Sequence, residues 1–276
     1  MAWLAQLVVQ YALQGSRVVA VHAHSGPLRI LQSLYPEGEG ICHNVLVHPP
    51  GGLVGGDTLS VQVHAQEGTH GLITTPGATR FYRSQGAQAC QHSVLRLEAG
   101  ARLEWLPLET LAYSGCQALN RLQMHLQEGA SLLGWDITAL GLPHAGQPFV
   151  QGSYAQHLEI AGVWLEQGCV RAQDHLLLDG PAGLAGQRCL ATMFFASGSP
   201  MTRDQRERGL ELARHCCEGH ELAAWAGATS PHPRLLLLRL LAPQVEPAMA
   251  LMRQVRDAWR LEFWNLPAVQ PRIWAM

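Results

Sequence analysis

Three times along the chain a short alternating segment ends in glutamate and glycine: Glu67-Gly68, Glu98-Ala99-Gly100 and Glu128-Gly129. The returns are roughly thirty residues apart. Each follows a stretch in which apolar side chains recur at every second position, as in Thr58–Ala65, Ser93–Leu97 and Asn120–Leu126. That period belongs to a half-buried strand. A glycine near the same place in each unit lets the backbone take the left-handed conformation that a tight turn needs. Units of strand and turn at even spacing predict a mainly β chain, built as stacked coils of a β-helix-like or layered architecture. The same turns also fit an ordinary meander.

Composition agrees with a β-rich chain. Of 276 residues, 47% are hydrophobic and 14% charged, which is ample for a core; 28 glycines and 16 prolines favour short strands and turns over long helices. A formal net charge of -2 leaves no electrostatic footprint for nucleic acid. All 19 basic residues are arginine. A Schiff-base lysine and a phosphate-loop lysine are therefore absent, and any nucleotide chemistry of that kind belongs to another chain. The seven cysteines are odd in number and contain no C-x-x-C pair, unlike a secreted disulfide framework. Gln6 and Gln10 interrupt the apolar N-terminus, and no apolar run reaches the length of a membrane span. The expectation is a cytoplasmic protein with no membrane partner.

The densest turn signal is His48-Pro49-Pro50-Gly51-Gly52-Leu53-Val54-Gly55-Gly56-Asp57, set just before the strand Thr58–Ala65. Its prolines fix φ and its glycines permit positive φ or close backbone approach. It delivers one carboxylate, Asp57, to the mouth of a strand. Asp57 also reads as a plain turn residue. The glycines do not fit the dinucleotide fingerprint, and the segment after them has strand period, so no helix N-terminus is offered to a pyrophosphate.

The last third changes character. Leu190–Ala196 reads as strand, Thr202 as the cap of a helix over Arg203–Cys217 weakened by Gly209, and Leu222–Ala226 and Arg234–Leu241 as strands. A second helix runs from about Val245 to Phe263, with Val245, Met249, Met252, Trp259 and Phe263 as its apolar stripe and Arg256 as the one interruption. We expect one unit over residues 1–276: a β-helix-like body over about 18–189, and a β-α-β-β-α part over about 190–276.

Candidate chemistry is sparse. His22 and His24 share one face of a presumed strand, where exposed histidines are commoner than metal ligands. His215-Cys216-Cys217-Glu218-Gly219-His220 resembles a ligand cluster, but adjacent cysteines on a helix diverge by about 100°. In Arg80-Phe81-Tyr82-Arg83-Ser84 the arginines are expected to pair carboxylates such as Asp57 or Asp136. No G-x-S-x-G elbow supports a hydrolase.

Five motifs, in order, resemble the urease accessory protein UreD (UreH) family: HPPGGLVGGD at His48–Asp57, TTPGATRFYRS at Thr74–Ser84, LEWLPLE at Leu103–Glu109, LLGWDI at Leu132–Ile137 and PRIW at Pro271–Trp274. The resemblance implies a mostly β, β-helix-like fold with two helices near the C-terminus, and a nonenzymatic role. It implies UreF as a direct partner, the GTPase UreG through UreF, and docking on apo-urease to deliver nickel through an internal channel, with no stably bound cofactor. Carried over residue by residue, it places Asp57, Asp136, Asp174 and Thr79 on the nickel path as transient stations. Spaced oxygen ligands hold a borderline ion weakly, as passage requires. Asp174 falls where relatives carry a glutamate beside a strand. Two departures stand out. Gln147 replaces the family glutamate before Phe149, removing a charge. Leu108 replaces a polar residue in Leu106-Pro107-Leu108-Glu109.

Overall fold

The computed structural model describes residues 2–275. The chain opens with a hairpin, β1 (Leu4–Gln14) and β2 (Arg17–Ser25), and passes through β3 (Arg29–Leu34) and β4 (Cys42–Val47). Then it winds. β5 (Thr58–Ala65), β6 (His70–Thr74) and β7 (Thr79–Phe81) make one coil; β8 (Ala89–Leu97), β9 (Arg102–Leu106) and β10 (Thr110–Ala112) make the next. β11 (Cys116–Leu126) and β12 (Ser131–Leu142) make a third, in which β12 pairs β9 at one end and β10 at the other. β13 (Gln147–Pro148), β14 (Gly152–Ile160) and β15 (Trp164–Arg171) close the stack. After helix α1 (His175–Asp179) come β16 (Cys189–Ser197), α2 (Arg203–Glu218), β17 (Ala226–His232), β18 (Leu235–Ala242) and α3 (Val245–Trp264).

The coils lie on one another in register. In the first sheet the order is β15-β14-β11-β8-β5-β1-β2. The run from β14 to β1 is parallel, and antiparallel partners close both edges. In the second sheet the order is β17-β18-β16-β12-β9-β6-β4-β3, with β7 and β10 extending it beside β12. The Glu-Gly turns stack as well: Gly68 N–H donates to Ala99 O (3.1 Å) and Gly100 N–H to Glu128 O (3.2 Å). Gly68, Gly100 and Gly129 have φ of 68°, 65° and 71°, the left-handed values that favour glycine. The stacked-coil expectation is what the chain adopts, and the parallel pairing excludes the meander.

Two apolar layers result. One lies between the sheets and includes Leu7, Val9, Val61, Leu95, Leu132 and Phe194. The other lies between the second sheet and helices α2 and α3, and includes Trp135, Met193, Leu236, Met252 and Trp259. The second sheet is thus covered on both sides, so β12 is buried at nearly every position while β5 alternates. The helices begin and end by ordinary local chemistry. Thr202 Oγ1 accepts from Gln205 N (3.2 Å), and Gln205 Oε1 accepts from Thr202 N (2.9 Å), a reciprocal capping box. α3 stops at Asn265, whose φ is 52°. Gly209 in α2 has a packing reason: a Cβ there would sit 2.5 Å from Leu236 Cδ1 and 2.8 Å from Phe263 Cζ. Among the described residues no helix is long and apolar enough to cross a membrane.

Three local expectations are corrected. Leu222–Ala226 is not a strand; Ala223–Trp225 form a 3-10 turn, and the strand starts at Ala226. The N-terminal segment, read only as an interrupted apolar run, is a central strand of the first sheet, because β2 and β5 pair it from both sides. Asp174 is not beside a strand but caps α1.

Candidate functional site

Two neighbouring chambers lie between the two sheets and share part of their lining. The larger, of about 220 Å³, is rimmed by Gly51 of the glycine turn and by Pro76 and Gly77, and it is walled by Leu59, Val61 and Trp105. The smaller, of about 10 Å³, reaches Asn120 and Asp136. Thr79, Gln91, Ser93, Trp105 and Pro107 line both, so they form the neck. Strand alternation puts them there. On β9, Trp105 faces the cavity while Glu104 faces the helices.

Asp136 lines the smaller chamber. It is buried on β12 and clamped by amides: Asn120 Nδ2 donates to Oδ2 (2.6 Å) and Gln156 Nε2 to Oδ1 (2.6 Å), with Thr138 Oγ1 3.3 Å from Oδ1. Burial pushes its carboxyl up to about 6, against the pull of those donors. No arginine pairs it. On the neighbouring strand Thr192 stands opposite Asp136 and donates to Glu166 Oε1 (3.1 Å); Glu166 also contacts Arg239.

The four residues carried over from the family resemblance fall in different places. Thr79 and Asp136 line the cavity. Asp57 is 1% exposed but is not among the lining side chains. Its oxygens accept from Val54 N (3.0 Å) and Trp3 N (3.2 Å), so it closes the glycine turn. Trp3 in turn packs on His48, with ring centroids 5.3 Å apart, and His48 lines the larger chamber. Asp57 therefore meets the cavity at one remove. Asp174 is exposed, and its side chain accepts from Leu177 N (3.0 Å). The expected pairing of Arg80 or Arg83 with Asp57 or Asp136 does not form: main-chain and amide donors occupy both carboxylates. Gln147 lies on the exposed β13, away from both chambers.

The glycines of the turn earn their place by contact. A Cβ on Gly52 would sit 2.4 Å from the Tyr82 ring, and one on Gly55 would sit 2.7 Å from Ala87 O. The turn thus lies flat on the segment after β7 and carries His48 to the rim.

Sequence reasoning missed His48, Gln91, Ser93 and Asn120. The strand alternation held a signal for the last three, because a polar residue at an inward position of a parallel coil has no water to face. Elsewhere, burial pushes the Cys116 and Cys189 thiols up to about 12, far from the thiolate that a soft metal needs. Among the described residues no three His, Cys, Asp or Glu side chains converge on a common metal position.

The family model for the UreD urease accessory protein matches residues 4–275. The chain belongs to that family. The urease accessory protein UreD of Variovorax paradoxus (strain S110) is 60% identical over 275 residues, covering 100% of each chain. That of Polaromonas naphthalenivorans (strain CJ2) is 60% identical over 276 residues with the same coverage. That of Methylibium petroleiphilum (strain ATCC BAA-1232 / LMG 22953 / PM1) is 45% identical over 294 residues, with 99% of each chain covered. The five motifs thus lie within full-length relatedness. Four of them carry cavity residues: His48 and Gly51 belong to HPPGGLVGGD, Thr79 to TTPGATRFYRS, Trp105 to LEWLPLE and Asp136 to LLGWDI.

Proposed function

We propose that this UreD chain works in the cytoplasm with UreF, and through it the GTPase UreG, as a scaffold that docks on apo-urease. In this reading it conducts nickel toward the urease active site during GTP-dependent metallocentre assembly. The cavity that ends at Asp136 carries the reading. Polar groups in a neck between apolar sheets are costly without hydrogen-bond partners, and a hydrated ion passing through would supply them. Weakly held oxygen stations suit a cation in transit. Asp136 and Thr79 are the stations of this path; Asp57 and Asp174 support backbone. The chain has no lysine for a phosphate loop, so in this reading nucleotide hydrolysis falls to the partner and this chain serves as a non-catalytic scaffold.

Co-purification with UreF, UreG and apo-urease, with nickel counted per urease, tests the reading. An Asp136→Ala chain should assemble normally and leave urease poor in nickel. A purely structural adaptor is the second reading, favoured by the way Asp57 and Asp174 both spend their carboxylates on main-chain amides. Full nickel loading by the assembled Asp136→Ala complex would select the adaptor.

A further inference from the structure

Two residues that line the cavity each carry a buried polar atom with no hydrogen bond within the described protein: His48 Nε2 and Ser93 Oγ. Ser93 is 2% exposed and stands in the neck between the chambers. His48 lines the larger chamber and is the only histidine among the lining residues of either chamber in the described protein. A buried polar atom without a partner is destabilising. Other polar groups of the same wall are satisfied: Thr75 Oγ1 donates to Gly77 O (2.9 Å) and accepts from Leu108 N (2.9 Å). Among the residues that line the two chambers, these are the unpartnered buried atoms, and each is free to accept a ligand that enters.

The two volumes say what each atom would do. At about 30 Å³ per water, a 220 Å³ chamber holds an ion with much of its hydration shell. The chamber beyond, of about 10 Å³, is at the lower limit for a single water. An ion bound for Asp136 must exchange water for protein atoms at the neck. Imidazole nitrogen suits the borderline first-row ions, whereas magnesium and calcium prefer oxygen.

We propose that His48 and Ser93 form the selecting and dehydrating station of the cavity, His48 Nε2 capturing a borderline divalent cation and the Ser93 hydroxyl replacing one of its waters at the neck. The inference rests on the reading of the cavity as a cation path. The step is ligand exchange: one water leaves for each protein atom bound, the hydroxyl keeps its proton, and no electron moves.

The test uses the full chain, titrated with nickel chloride and, separately, magnesium chloride. The variants are His48→Gln, Ser93→Ala, Asp136→Asn and, as an exposed control, His24→Gln. Nickel affinity should fall about tenfold or more in His48→Gln, and less in Ser93→Ala. Magnesium binding should not change in His48→Gln, and His24→Gln should match wild type. A measurement free of any folding defect accompanies these: nickel should broaden the His48 ring signal of the wild-type chain at substoichiometric metal. If that ring is untouched, or His48→Gln and Ser93→Ala keep wild-type nickel affinity while Asp136→Asn loses it, this station is wrong and the conduit reading survives. If Asp136→Asn also leaves nickel binding and nickel delivery to urease unaltered, the conduit reading falls with it.

Discussion

Arg256 and Glu104 stand 152 residues apart in the chain, yet Arg256 Nε donates to Glu104 Oε2 at 2.8 Å, with no solvent exposure on either side chain. Around them a buried network joins four parts of the fold. Arg260 Nε lies 3.3 Å from Glu104 Oε1, and Arg260 Nη2 reaches Glu37 Oε2 at 2.6 Å. His43 Nε2 meets Glu37 Oε1 at 2.9 Å. Arg256 Nη1 donates to Val269 O at 2.9 Å, which ties down the tail after α3. Arg256 Nη2 and Arg260 Nε contact the Glu104 carboxylate as charges, without hydrogen-bond alignment. The buried face of α3 thus carries two arginines, Arg256 and Arg260, where the sequence predicts a single interruption, and both tie the helix to the second sheet through Glu104.

Removing one partner should be severe. Glu104→Ala takes from two buried guanidiniums the carboxylate they share, and its expected cost is about 3–5 kcal/mol. Urea unfolding of the full chain, followed by tryptophan fluorescence, checks this. A midpoint within error of wild type would show that the network carries no stability.

The same carboxylate should shape acid unfolding. Burial alone would raise its pKa; Arg256, then His70 and Arg260, more than offset that and hold it down to about 2. A folded pKa below the ordinary 4.5 contributes stability that is complete above pH 4.5 and lost as pH falls toward 2. The loss should be on the order of 3 kcal/mol. Glu104→Gln should flatten that limb of the stability curve; an unchanged limb would assign it to other carboxylates.

Asp136 should show the opposite sense. Its folded pKa of about 6 lies above the ordinary 3.8, so its contribution to stability falls as pH rises through that window and is constant outside it. A carbon-detected titration of the Asp136 carboxyl should give a midpoint near 6. Nickel delivery by the assembled complex should weaken below that pH, where the carboxyl is neutral. A midpoint below 4 would refute the burial argument.

Asp57→Ala frees the amides of Val54 and Trp3, and should cost about 1–3 kcal/mol. Because Trp3 packs on His48, the rim of the larger chamber should loosen as well. Slower uptake of nickel with Asp136 intact, together with a lowered Tm, is the expected pair of results. A nickel-delivery defect at unchanged Tm would instead make Asp57 a direct ligand.

Gly209→Ala should cost about 1–3 kcal/mol, since the added methyl meets Leu236 and Phe263 below contact distance. Its helix propensity would favour the change by about 1 kcal/mol, so an exposed glycine would respond the other way. A higher Tm in thermal unfolding would mean that the two helices can move apart.

What could be read from residue order alone was what local chemistry decides. The Glu-Gly returns at Gly68, Gly100 and Gly129 announced stacked coils because a positive-φ turn and period-two alternation are properties of a few adjacent residues. Thr202 announced α2 for the same reason. Tertiary structure alone decided the rest. The first strand became central because β5, more than forty residues later, lies against it in register. Asp57 was aimed at the turn and at Trp3, not into the cavity, and Asp174 was turned to the start of α1. Arg256 looked like a flaw in an apolar stripe until β9 brought Glu104 beneath it. Each of these depends on which distant backbone arrives alongside. That is set by the summed burial of two apolar layers, and no neighbouring residue in the chain records it.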